Sequence, residues 1–225
     1  MTIRVFKKWC VASLLLSAGG LTQAQETQPA GGEEVLPAPV RTGGMPLNEA
    51  LDKRQTIRRM DKTRELDAER LSGLLWAANG FNRPAKRTAP TARNVQELEL
   101  IVLLPSGGYS YDARKNRLVR LTEENLLPVA GSFGVAEILI VADADKCIDV
   151  PLTHVDSGFI GQNIYLYCAS EGMAAVFRGA VDRDSIHKKL GLGEKQIITY
   201  TVSVGYPEKK ADAGFSAESG ASPGN

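Results

Sequence analysis

The stretch Arg87-Thr88-Ala89-Pro90-Thr91-Ala92-Arg93-Asn94-Val95-Gln96 separates two segments that both read as core elements. It is polar, and Pro90 stops a helix from running through it. Before it, Asp67 to Ala78 (DAERLSGLLWAA) carries Leu71, Leu74, Leu75 and Ala78 at the spacing of one helical face. Asp67 suits the N-cap of that helix, and Asn79-Gly80 reads as a left-handed cap at its far end. After the loop, Leu98-Glu99-Leu100-Ile101-Val102-Leu103-Leu104 reads as a buried strand. A loop this polar between two core-forming elements is a place to hold a ligand rather than a mere connection.

Outward from that loop the pattern stays mixed. Met45 to Leu51 starts a short helix with Pro46 suited to its first turn, and Lys53 to Met60 is basic and extended. Ser106-Gly107-Gly108 turns the chain into a hairpin of Tyr109–Asp112 and Arg117–Leu121. Glu137–Ala142 (EILIVA) is a further apolar strand, and Val155–Met173 is a long helix with apolar residues on more than one face, which requires deep burial. Met173–Phe177 is extended, Asp182–Leu190 is a helix ended by Gly191, and Gln196–Tyr206 closes the core as an alternating strand. Helices and strands interleave without a regular βαβ repeat, so the expected fold class is α+β.

The termini are of another kind. Arg4, Lys7 and Lys8 precede the apolar run Cys10–Leu16, and Thr22-Gln23-Ala24 offers a cleavage site, so residues 1–24 read as a signal peptide and the protein as exported, periplasmic or secreted. The run is too short and interrupted for a stable membrane span. Residues 25–44 read as a flexible leader, 45–207 as the folded domain, and 208–225 as a disordered tail. A net charge of +1 gives nucleic-acid binding no compositional support. Cys147 and Cys168 are too few for a disulfide framework, and Cys168 falls inside a helical apolar pattern that suits a buried free thiol. His154 and His187 stand alone, so no metal site is expected.

No P-loop, complete dinucleotide fingerprint or nucleophile elbow occurs. What remains are basic and amide-bearing segments. In Arg54-Gln55-Thr56-Ile57-Arg58, an extended backbone puts Arg54, Thr56 and Arg58 on one side, a set of forked donors and a hydroxyl that fits a phosphate. The same pattern also suits a solvated basic face. Asn94 and Gln96 each carry a donor and an acceptor, as the polar edge of a flavin would require, and equally as loop capping would.

Taken in order, R-x-[S/T]-x-R (Arg54, Thr56, Arg58), LSGLLWAANG (Leu71–Gly80), RTAPTARNVQ (Arg87–Gln96), DSGFIGQNIYLYCASEGM (Asp156–Met173) and VGYP (Val204–Pro207) resemble the FMN-dependent nitroreductase family. The likeness is greatest to the branch that includes SagB-type dehydrogenase domains, and it runs from about Leu47 to Tyr206. The resemblance implies a nitroreductase-like sandwich, a central antiparallel sheet flanked by helices. It further implies a homodimer formed through the long central helices, with FMN at the interface. Arg54, Gln55 and Thr56 would hold the FMN phosphate with Lys209 and Lys210, and Arg58 would lie near N1 and O2 of the ring. Pro90, Thr91 and Ala92 would line the flavin, Asn94 and Gln96 would bond its polar edge, and Gly179 and Ala180 would turn their N–H groups to N5. Arg178 would be the side chain available to substrate.

The implied activity is a ping-pong transfer of hydride from NAD(P)H through N5 to a small-molecule electron acceptor, with no protein nucleophile. Two alternatives stand beside it. One is a non-catalytic protein that keeps the fold and a flavin or other ligand. The other is a flavin oxidoreductase using a donor other than NAD(P)H, which would reconcile catalysis with export.

Overall fold

The computed structural model describes residues 32–209; the expected signal peptide, residues 25–31 of the leader, Lys210 and the tail beyond it lie outside the described residues. Three aspartates start the main helices, each accepting a backbone N–H three residues on. Asp67 caps α2 (Ala68–Asn79) through Arg70 N at 2.7 Å, Asp149 caps α3 (Val150–Ser170) through Leu152 N at 2.7 Å, and Asp182 caps α4 (Arg183–Leu190) through Ser185 N at 3.1 Å. The central helix therefore begins five residues before the expected Val155, because Pro151 is tolerated in a first turn. A shorter helix, α1 (Leu47–Lys53), follows Pro46 as its N-cap.

Gly191 ends α4 in the left-handed conformation at φ +63°, as expected, but Gly80 does not do so for α2. Gly80 is extended, with φ −75° and ψ 174°, because the chain runs straight into the strand β3 (Phe81–Arg83) instead of turning. A Cβ at Gly80 would lie 2.7 Å from Trp76 Cα, so crowding, not handedness, calls for glycine here.

The sheet is antiparallel throughout. Its order runs β1 (Glu33–Val35), β7 (Arg117–Thr122), β6 (Gly107–Asp112), β5 (Leu98–Leu104), β8 (Ala136–Asp143) and β10 (Gln196–Pro207). On the far side of β10, its middle pairs with β9 (Ala174–Arg178) and its end with β2 (Met60–Asp61). A separate two-stranded ribbon joins β3 to β4 (Lys86–Arg87). The fold class is α+β, as expected.

Alternation along the central strands divides the interior into two layers. Leu98, Leu100 and Val102 of β5 and Ile138 and Ile140 of β8 pack with Leu71, Leu74, Leu75 and Ala78 of α2 and Ile160 and Ile164 of α3. Ile101, Leu103, Leu139 and Val141 face the other way, onto Ile186 and Leu190 of α4 and Leu126 and Leu127.

One boundary moves. The flexible leader was read to run to residue 44, yet Glu33–Val35 pairs with β7, and Leu36 is buried with its N–H bonded to Asn116 O at 3.0 Å. Asn116 Nδ2 and Ser72 Oγ both donate to Pro37 O, at 2.8 and 2.5 Å. A polar edge strand held by backbone pairing leaves no apolar periodicity to read. Among the described residues no helix is long and apolar enough to cross a membrane.

The layer between α3 and β9 has no slack. A Cβ at Gly161 of α3 would sit 2.5 Å from ring carbons of Phe177, which itself packs on Tyr200 with centroids 4.7 Å apart. Gly161→Ala gains about 1 kcal/mol of helix propensity but loses about 1–3 kcal/mol to overpacking. A net loss of stability is expected in chemical denaturation; a stabilised variant would show that this contact relaxes freely.

Candidate functional site

Tyr165, in the third quarter of α3, gathers the first basic segment. Residues 54–59 have no regular structure, but their path is fixed: Arg54 N–H closes α1 on Ala50 O at 3.0 Å, and Ile57 N–H bonds Ala175 O of β9 at 3.2 Å. Thr56 Oγ1 lies 2.9 Å from the Tyr165 hydroxyl, and the Arg54 guanidinium rides over the Tyr165 ring at 5.4 Å. Of Arg54, Thr56 and Arg58, expected on one side, the first two meet at Tyr165. The same hydroxyl accepts the Phe177 N–H at 3.0 Å, so it also ties down the end of β9, beyond which lie the exposed residues Gly179 and Ala180. Gln55 and Arg58 are exposed beside it, and a cavity of about 390 Å³ lined by Gln55, Ile57, Tyr165 and Pro207 opens next to them. Lys209 is brought close by the bond from Glu208 N–H to Arg59 O at 3.2 Å. Lys210 lies outside the described residues.

The loop of residues 88–96 packs elsewhere on α3. Ala92 N–H donates to Asp156 Oδ2 at 2.9 Å, and Gln96 N–H donates to Thr91 Oγ1 at 3.0 Å across a single 3-10 turn, Ala92–Asn94. Pro90 is exposed, and Thr91 and Ala92 are half-buried. Three non-glycine residues here take positive φ: Arg93 at 52°, Asn94 at 57° and Gln96 at 53°. Asparagine tolerates this region; for arginine and glutamine it costs about 1–2 kcal/mol each, so the surrounding contacts must impose it.

The two amides expected at a flavin edge are engaged within the chain. Gln96 Nε2 donates to Ala85 O at 2.9 Å, and Asn94 Nδ2 approaches the same oxygen at 3.5 Å. Gln96 Oε1 accepts from Arg87 Nε at 3.2 Å. Arg87 is half-buried: it also donates to Asn79 O at 2.8 Å and lies over the Phe81 ring at 4.6 Å. Burial lowers its guanidinium below the usual arginine range. These contacts fasten the loop to the β3–β4 ribbon.

Arg178 is the clearest correction. Expected to be open to substrate, its Nη2 instead pairs with Glu137 Oε1 at 2.6 Å and donates to Ala130 O at 3.0 Å, while Nη1 donates to Gly131 O at 3.0 Å. Glu137, on β8, is fully buried, and its Oε2 accepts from Ser203 Oγ at 2.6 Å. A carboxylate and a guanidinium so placed fix the start of the 178–180 loop and leave little of Arg178 for a ligand. The partners lie 41 residues apart in the chain, a pairing that no local pattern signals. Tyr165 and Asp156 are the other residues that the sequence reading passed over, although a carboxylate among Thr153, Ile160 and Ile164 on the buried side of α3 was a visible anomaly.

Removing Arg178 should strand the Glu137 charge. Arg178→Ala is expected to cost about 3–5 kcal/mol in denaturant unfolding, and Arg178→Met with Glu137→Gln to recover much of it. A loss below about 1 kcal/mol would return Arg178 to the pool of ligand-binding side chains.

Comparison with known proteins gives the fold a family. Residues 51–206 match the family described as the Nitroreductase family. A crystal structure from Ralstonia eutropha, described as a nitroreductase, superposes with a TM-score of 0.73 at 31% identity, covering 81% of this chain and 95% of that one. A Methanocaldococcus jannaschii protein described as a nitroreductase is 25% identical over 178 residues, 69% of this chain and 89% of its own length. A Desulfovibrio desulfuricans structure, described as a nitroreductase in complex with FMN, shares the fold with a TM-score of 0.56 at 17% identity, covering 74% of this chain and 89% of that one. With its central antiparallel sheet, its long central helix and a match across most of its length, the chain belongs to the nitroreductase family.

Proposed function

We propose that this nitroreductase-family oxidoreductase is an FMN enzyme that works as an exported homodimer, taking hydride from NAD(P)H and passing it to a small-molecule acceptor. The observation that carries the reading is the convergence on Tyr165. One phenol hydroxyl joins Thr56 to the Phe177 N–H, so a basic, hydroxyl-bearing segment is tied through one side chain to the strand that leads into the exposed Gly179-Ala180 backbone. The donor set fits the group. Arg54, Thr56 and Lys209 supply cations and a hydroxyl suited to a phosphate, Arg58 adds a guanidinium suited to an anionic ring edge, and Gly179 presents no side chain where a flat ring must approach.

Bound there, FMN would supply the hydride-accepting and hydride-donating chemistry. The chain's own residues would do the rest. Arg54 and Thr56 would anchor the phosphate end, Arg58 would favour the reduced ring by opposing its negative charge, and the Arg178–Glu137 pair would hold the loop that presents Gly179 and Ala180. Asn94 and Gln96, turned onto Ala85, would act by shaping the loop rather than by direct bonds. The homodimer reading is supported by apolar side chains left in water: Val155 and Phe159 lie one turn apart on α3, and Leu47 and Leu51 one turn apart on α1. Export rests on the basic-then-apolar N-terminus.

The test is optical. The mature chain should take up FMN at micromolar concentration with a shifted visible spectrum, and anaerobic NADH or NADPH should bleach it. Absence of uptake overturns the proposal; uptake without bleaching by either nicotinamide favours the reading with another donor. Arg58→Ala should weaken FMN binding or slow its reduction by about tenfold to a hundredfold, the worth of one charge-assisted bond. If neither changes, the role given to Arg58 is wrong.

A further inference from the structure

Two buried carboxyl groups, Asp156 and Glu97, stand behind the loop of residues 88–96. Asp156 is 3% exposed on α3, and its Oδ2 accepts the Ala92 N–H at 2.9 Å. Glu97, 2% exposed, closes the loop just before β5, and its side chain meets the Asp156 carboxyl. Glu97 Oε2 is buried and finds no donor among the described residues. Two ionised carboxylates have only acceptors to offer each other, and the contact between them would be repulsive. One proton between them turns the contact into a hydrogen bond and supplies the missing donor. Burial, together with the hydrogen bond and charge of Asp156, raises the Glu97 carboxyl above its usual range, in keeping with that count.

The position of the pair gives it a task. Arg93, Asn94 and Gln96 all hold positive φ within the span that Ala92 and Glu97 bracket. A chain held in that shape needs tethers on both sides. Ala92 supplies one through its N–H to Asp156, and the buried Glu97 carboxyl, with an oxygen that lacks a donor, is placed to supply the other. Both tethers end on one carboxyl of the central helix.

We propose that Asp156 and Glu97 are positioning residues: an acid–carboxylate pair sharing one proton, with the Ala92 amide as a second tether, clamps loop 88–96 to α3 in the shape in which it walls the flavin. The last clause rests on the flavin reading given above; the clamp itself does not.

The experiment combines hydrogen exchange of peptides spanning residues 88–97 in the full apo chain with FMN titration. Asp156→Ala should speed exchange at Ala92 and its neighbours by about tenfold or more while β8 and β10 stay protected, and should weaken FMN binding by a similar factor. Asp156→Asn, whose oxygen still accepts from Ala92 and whose amide can donate to Glu97, should keep slow exchange. Glu97→Gln, which donates to Asp156 without a shared proton, should keep it too. Glu97→Ala, which leaves the Ala92 bond in place, should loosen the loop partway and serves if Asp156→Ala does not fold. Unchanged exchange in both alanine variants overturns the clamp, as does an amide variant that behaves like its alanine counterpart. Faster exchange with unchanged FMN affinity overturns the positioning role. If the wild-type chain takes up no FMN, the flavin reading fails on its own, and the exchange rates still decide the clamp.

Discussion

The hydroxyl of Tyr165 is the contact on which the proposed site depends. It takes the Phe177 N–H at the end of β9 and pairs with Thr56, while the tyrosine ring sits under the Arg54 guanidinium. Without it, segment 54–58 would be a basic stretch of irregular chain joined to β9 by the Ile57 amide. Its hydroxyl is shared by two separate segments, which sets the distance between a cationic rim and a backbone edge. That distance is a property of the fold, because both segments are pinned to a central helix whose inner side is fully packed.

The opposite end of the same loop is held from beneath the sheet. Glu137 points to the second layer of β8, where Arg178 and Ser203 meet it, and Arg178 also donates to the Ala130 and Gly131 carbonyls. A buried ion pair of this sort does more for geometry than for net stability, since desolvation offsets much of the attraction. Its effect is to leave one course open to the chain as it leaves β9. Phe177 adds a steric limit, wedged between Tyr200 and the missing side chain of Gly161. Polar clamp and packing thus act on consecutive residues.

Much of this fold was legible in the sequence, and the exceptions have physical causes. The apolar spacing of Leu71, Leu74, Leu75 and Ala78, the Asp67 cap and Gly191 are local signals, and each element they mark is present. Motif order pointed to the family, and Arg54 and Thr56 do lie together. What failed involved partners distant in the chain. Arg178 looked available because Glu137 lies on another strand, 41 residues away. Asn94 and Gln96 were read as amides for a flavin edge, but which way an amide faces is set by the backbone, here by three positive φ angles. The edge strand Glu33–Val35 escaped notice because pairing at a sheet edge asks nothing of side-chain hydrophobicity.

A crystal structure of the mature chain grown with FMN decides whether segments 54–58, 88–96 and 178–180 form one flavin site. The phosphate should lie against Arg54 and Thr56, the ring should be walled by Pro90–Ala92, and N5 should face the Gly179 and Ala180 amides. FMN seated away from any one of these three segments, or a chain that crystallises from saturating FMN without binding it, would show that they do not.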